Sequence, residues 1–135
     1  MAGVPPVLAI ALGGALGAVS RHYVSATVMR WWGQTGGGAF PLGTLTVNVA
    51  GSALMGLLVG LLVGRFDAGI ALRSFLTVGF LGGFTTFSTF SLETMLLIEK
   101  NQWTLAGAYA LVSVGLCVAA AFAGLALARG MGPGL

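Results

Sequence analysis

The sequence predicts an all-α integral membrane protein with four transmembrane helices per subunit, from the scarcity of charge, the length of the apolar runs and the placement of tryptophan. Only 7% of its 135 residues are charged and 57% are hydrophobic, whereas a soluble domain carries about 25% charge. A mean hydropathy of +1.00 makes lipid the expected solvent. A spanning helix needs about 20 predominantly apolar residues. Four segments meet that length, at about 7–29, 42–63, 74–98 and 103–128. Trp31, Trp32 and Trp103 fall at their ends, where amphipathic rings favour the headgroup layer. The short connections between the segments leave no room for a soluble unit, so residues 1–135 read as a single four-helix transmembrane domain.

In the first segment, the residues before Val7 lack the basic stretch of a cleavable signal, so the run that follows reads as a retained helix. Gly13 and Gly17 give it a packing ridge. Arg21 lies about two-thirds of the way along; its guanidinium either snorkels to the interface, the default for such a residue, or draws anions into a vestibule. His22 is the only histidine and has no partner cluster in sequence, which argues against a metal or catalytic role.

The second segment offers Ser52, Gly56, Gly60 and Gly64 at four-residue spacing for close helix approach. Thr44, Asn48 and Ser52 form a polar ridge by the same spacing. The Asn48 amide can donate two hydrogen bonds to an anion or clamp a neighbouring helix, and the residue alone leaves both readings open.

The third segment contains GFLGGFTTFSTFS at residues 79–91. Gly82 and Gly83 weaken a helix where lipid demands an unbroken hydrogen-bond ladder, and the hydroxyls that follow can satisfy freed backbone groups. A break near 82–87 is expected, of the kind that marks ion sites in transporters; the competing reading is a flexible, fully helical packing face. Phe84, Phe87 and Phe90 recur every third residue. Such a stripe is ordinarily packing, but ring edges are electropositive and can face a dehydrated anion. Ser88, Thr89 and Ser91 put hydroxyl donors beside the rings, and Glu93 is the one intramembrane acid, its partner undecided by sequence. The fourth segment carries Tyr109 and Ser113 on one face and a small-residue ridge at Gly115, Ala119 and Ala123.

Several function classes are disfavoured. The pI near 9.8 comes from dispersed charges, with no cluster to neutralise phosphates, so nucleic acid is not an expected partner. Cys117 is the single cysteine, which rules out an intrachain disulfide or a thiolate metal cluster and suggests a small packing residue. Nucleophile elbows, zinc-protease helices and phosphate loops are missing from the sequence, so no enzyme is expected. With four spans, Arg65, Arg73 and Arg129 share one side and Arg30 and Lys100 the other. That near balance is compatible with insertion both ways and an antiparallel dimer, and equally with one orientation fixed by a weak bias.

Residues 79–91, with GTLTVN at 43–48 and GALGAVSR at 14–21, resemble the Fluc (CrcB) fluoride-channel family. The resemblance extends over nearly the whole chain. It implies a homodimer of dual topology in the bacterial inner membrane, with two antiparallel pathways that export cytoplasmic fluoride passively and give fluoride resistance. It implies Phe87 and Phe90 as a facing aromatic box, Asn48 as an amide donor, and Tyr109 and Ser113 as fourth-helix lining. Thr44, Ser88 and Thr89 would be further polar contacts, and Arg21 would match the first-helix arginine. The backbone carbonyls of Gly82 and Thr85 would match a central structural Na⁺ site; the residues alone select only a small hard cation. Phe84 stands where many relatives would carry an aliphatic residue. Two other classes are a proton-coupled multidrug exporter, which needs a carboxylate that this first helix lacks, and a non-transporting assembly subunit, which needs only the packing ridges.

Overall fold

The computed structural model describes residues 4–62 and 69–131. Val63, Gly64 and Arg65 lie outside the described residues. The described residues form α1 (Pro6–Gln34), α2 (Leu42–Leu62), α3 (Ile70–Ser74), a π-helical segment (Phe75–Leu81), α4 (Gly82–Phe84), α5 (Phe87–Glu99) and α6 (Trp103–Gly130). Together they make four spans long and apolar enough to cross a membrane, the third being Ile70–Glu99. The third span begins four residues ahead of the expected start, and the first ends five residues beyond the expected end.

Local chemistry fixes the ends. Proline in the first turn of α1 presents the φ a helix needs, at a position where its missing N–H is no loss. After α1, Gly36 and Gly38 adopt φ of 76° and 70°, which favours glycine, and the Gly37 N–H returns to the Trp32 carbonyl at 2.9 Å. Between α5 and α6, Asn101 takes φ 58° while the N–H groups of Asn101 and Gln102 cap the carbonyls of Ile98 and Leu97, each at 2.9 Å. That closure turns α6 back along α5.

Two helix pairings dominate. α2 lies along α6, where a Cβ on Gly56 would strike the Ala121 carbonyl and one on Gly124 the Ala53 carbonyl. α1 lies along the π segment, with Gly13 against Phe75 and Phe80 and Gly17 against the Phe80 carbonyl. Both are close backbone approaches, the usual packing device where lipid gives no hydrophobic drive between helices. The expected ridge on α6 is not the one used: Gly115 meets nothing, Ala119 and Ala123 are exposed, and Gly124 and Ala128 are buried instead. Neighbouring residues on a helix point about 100° apart, so a one-residue offset moves the contact to another face. α6 buries only five of its 28 residues. A helix apolar all round, with so little covered, suits a lipid or subunit environment.

The third span is interrupted, but the glycines do not unwind it. Gly82 keeps φ −63° and ψ −37°, while Thr85 (φ −88°, ψ 159°) and Thr86 (φ −153°, ψ 118°) are extended. Gly83 serves closeness: a Cβ there would sit 2.6 Å from the Gly14 carbonyl oxygen. The π turns ahead of the break are a feature the residue pattern gives no sign of.

Candidate functional site: a helix break between two cavities

The break is made by side chains that capture backbone groups. The Thr86 N–H donates to Asn48 Oδ1 at 2.7 Å, and Asn48 Nδ2 donates to the Thr86 carbonyl at 3.0 Å. Thr86 Oγ1 caps α5 by accepting the Thr89 N–H at 3.2 Å, and donates to Thr89 Oγ1 at 3.0 Å. In an unbroken helix those two N–H groups would serve the carbonyls four residues earlier, Gly82 and Thr85. Both carbonyls are thereby released from the ladder. The Thr85 oxygen accepts from Arg21 Nη1 at 3.3 Å, so the guanidinium turns inward to the break.

Between α2, the break and α6 lies a cavity of about 360 Å³, lined by Asn48, Thr85, Thr86, Phe87, Phe90 and Ser113 among others. Ser113 is 5% exposed, and its Oγ, itself covered, lies beside the Tyr109 side chain. Phe87 is 76% exposed, its ring 5.4 Å from that of Phe90 at 43°. A second cavity of about 330 Å³ opens toward α1 and takes in Arg21, His22, Thr44, Thr86 and Thr89. Thr86 lines both, so the extended dipeptide is the partition between them.

A third polar group stands beside them. Glu93 accepts from Thr44 Oγ1 and from Tyr109 Oη, each at 2.7 Å. Tyr109 is fully buried, stacked obliquely on Phe90 at 5.2 Å and edge-on to Phe40 at 5.5 Å. Two neutral O–H donors thus solvate one carboxyl group inside the bundle.

Of the sequence-predicted residues, Asn48, Phe87, Phe90 and Ser113 share the first cavity, and Arg21, Thr44 and Thr89 share the second. Tyr109 is on neither wall; it holds Glu93 from within. Ser88 is exposed and lines neither cavity, its Oγ 3.3 Å from Thr86 Oγ1. Of the two residues whose carbonyls are released, Thr85 lines the first cavity and Gly82 is exposed. Asn48 is a clamp on the break, with one amide hydrogen used on Thr86 and a second left over. Sequence reasoning included Thr86 only among the hydroxyls that follow the glycines and gave it no place in the site, although a threonine just ahead of an apolar helical run is a capping signal.

Comparison with known proteins adds to this geometry. Residues 8–125 match the family described as CrcB-like protein, Camphor Resistance (CrcB). A protein of Magnetococcus marinus named fluoride-specific ion channel FluC is 51% identical over 89% of this chain and 94% of its own length. Proteins of the same name from Agrobacterium fabrum and Rhizobium leguminosarum bv. trifolii are 48% and 46% identical, over 90% and 92% of the chain and 94% and 96% of their own lengths. With four apolar spans, an interrupted third and a match along nearly all of its length, the chain belongs to the CrcB (FluC) family of multi-pass membrane proteins.

Proposed function

We propose that this protein is a fluoride-specific passive ion channel that lets the membrane potential expel cytoplasmic fluoride. The observation that carries the reading is the cavity beside the break, where the Asn48 amide, with one hydrogen left over, shares a wall with the Phe87 and Phe90 rings. Unsatisfied donors inside a membrane protein cost free energy, and a small anion of high charge density satisfies them. Electropositive ring edges add to the attraction while excluding water. Arg21 on the second cavity draws anions toward the break, and the Thr89 hydroxyl on the same cavity supplies a further donor. Each 100 mV of inside-negative potential contributes about 2.3 kcal/mol per charge, so no nucleotide site is required.

The working unit in this reading is an antiparallel homodimer, which the nearly balanced loop charges permit. The exposure of Gly82, Phe87 and Ser88 at the break suits coverage by a second copy. On a two-fold axis through the break, Gly82 and Thr85 carbonyls from both subunits would give four neutral oxygens, a set that fits a monovalent hard cation better than Mg²⁺. The fit rests on the two diverted N–H groups, which leave those carbonyls without helical donors. Thr85 keeps a lone pair beside its bond from Arg21. A Na⁺ ion held there would supply positive charge and cross-subunit cohesion, and fluoride would pass to either side.

The test is fluoride efflux from liposomes containing the purified protein, read with a fluoride electrode. Efflux well above that of protein-free liposomes is expected, dependent on a potassium ionophore to compensate charge, with chloride retained. Protein prepared throughout with a bulky organic cation in place of sodium is expected to lose dimer content and flux together. Efflux no faster than from protein-free liposomes overturns the channel reading.

A further inference from the structure

We propose that His22 is a further anion-recruiting residue, lining the second cavity beside Arg21 and drawing fluoride more strongly when its imidazole is protonated. The role rests on the channel reading and deepens it with a residue that the family resemblance leaves without a part. His22 stands past the middle of α1, about three turns short of the helix end, too deep for a short ring to reach a headgroup layer. An ionisable side chain at that depth is costly unless it meets water or a partner. Among the described residues it forms no hydrogen bond, and its one ring contact is edge-on to Tyr23 at 5.5 Å. It is exposed and lines the second cavity with Arg21, Thr44, Thr86 and Thr89. Arg21 commits an N–H to the Thr85 carbonyl at the break, whereas both His22 ring nitrogens are left for water or an anion.

A neutral imidazole offers one N–H donor, and its protonated form offers two with a full positive charge. Imidazole is the side chain that makes this change between about pH 8 and pH 5. The charged and titratable groups around His22 are few among the described residues. α1 adds Arg21, Tyr23 and Arg30, the last bonded to Thr27. Glu93 of α5 reaches the cavity wall through Thr44, which donates to it at 2.7 Å. α2, the π segment and α4, which pack on α1, carry no titratable side chain, and α3 carries Arg73 ahead of the break. Charge on His22 therefore adds to that of Arg21 on one wall, and a cavity lined by one sign of charge concentrates the opposite ion. Because the ring is exposed, salt screens the attraction.

The experiment measures fluoride efflux from liposomes held at the same pH inside and outside, at about pH 8 and at about pH 6, with a potassium ionophore present and a fluoride load low enough for entry to limit the rate. It is run in about 10 mM salt and again in about 150 mM potassium gluconate. Protein-free liposomes at each pH give the leak carried by hydrogen fluoride, which is subtracted. Each protein is compared with itself as the ratio of efflux at the lower pH to efflux at the higher. For the wild type in low salt a ratio of about three is expected, falling toward about one in high salt. His22→Gln and His22→Leu should give a ratio of about one in either salt. His22→Lys, charged at both pH values, should also lose the pH dependence and conduct faster than the wild type at the higher pH. A wild-type ratio that shows no rise, a rise retained in His22→Gln, a rise that salt leaves unchanged, or a His22→Lys protein that elutes as the wild type does and conducts no faster overturns the proposal. Absence of efflux at both pH values overturns the channel reading and this proposal with it.

Discussion

The two halves of the third span, on either side of Thr85 and Thr86, are held in place by different physics. The half before the break is fixed by backbone contact: Gly13 and Gly17 of α1 press on the π segment, and Gly79 and Gly83 reciprocate against Ile10 and Gly14. The half after the break is held by polar groups, with Thr86 capping α5 and Glu93 bound by Thr44 and Tyr109. Its outward face leaves Phe87, Ser88, Ser91, Leu92 and Met95 exposed. Close packing makes the first half a rigid platform, since any added atom meets backbone that cannot swing aside. The second half presents donors and rings from that platform, which is how a site on a rigid element keeps its geometry.

Asn48 joins the halves, and its replacement should have the largest effect. In Asn48→Asp the carboxylate still accepts the Thr86 N–H but cannot donate to the Thr86 carbonyl, which leaves an acceptor on a buried residue unsatisfied at a cost of about 1–3 kcal/mol. It also sets a negative charge on the first cavity. Fluoride efflux is expected to fall about a hundred-fold, since about 2.7 kcal/mol of added repulsion and lost donation corresponds to that factor. An Asp variant that elutes as the wild type does and conducts at the wild-type rate would remove Asn48 from both the clamp and the pathway.

A smaller effect is expected within the platform. Gly17→Ala places a Cβ against the Phe80 carbonyl, so α1 and the π segment must separate, at a cost of about 1–3 kcal/mol. The same change at Gly107, inside α6 where a Cβ meets nothing, is expected to stabilise by about 0.5–1 kcal/mol. Thermal loss of the monodisperse species in detergent measures both. Equal losses would mean that the α1 contact is no more rigid than an open helix face.

The spans were legible because lipid imposes length and apolarity on each segment separately, and that requirement is written in consecutive residues. The break was legible in its neighbourhood only. Gly82 and Gly83 stay helical, and the extended residues are Thr85 and Thr86, the second of which Asn48 captures from 38 positions away. Likewise, nothing local marks Gly124 over Gly115 as the packing glycine of α6, because the choice is made by Gly56 and Ala53 on α2. Glu93 was visible as an intramembrane acid, but its solvation by Thr44 and Tyr109 depends on how three elements meet. The residues singled out from sequence were those whose own chemistry is unusual in a membrane. The residues or roles missed were set by a partner.

The smallest effect separates the two rings on the presenting half. Phe87 is 76% exposed in the subunit and touches chiefly Phe90, whereas Phe90 also packs on Tyr109 at 5.2 Å. Isoleucine keeps the apolar bulk but has no electropositive edge. Phe87→Ile should therefore leave the subunit's stability almost unchanged and lower fluoride efflux about three- to ten-fold, the equivalent of about 0.7–1.4 kcal/mol of anion attraction. Phe90→Ile should lower efflux by a similar factor and also destabilise by about 1 kcal/mol, because the aromatic contact with Tyr109 goes with the ring. Measured side by side, efflux and thermal stability should move independently at Phe87 and together at Phe90. If Phe87→Ile instead loses stability while conducting at the wild-type rate, its ring is a packing surface for a second subunit, and the anion meets only Phe90, Asn48 and Ser113.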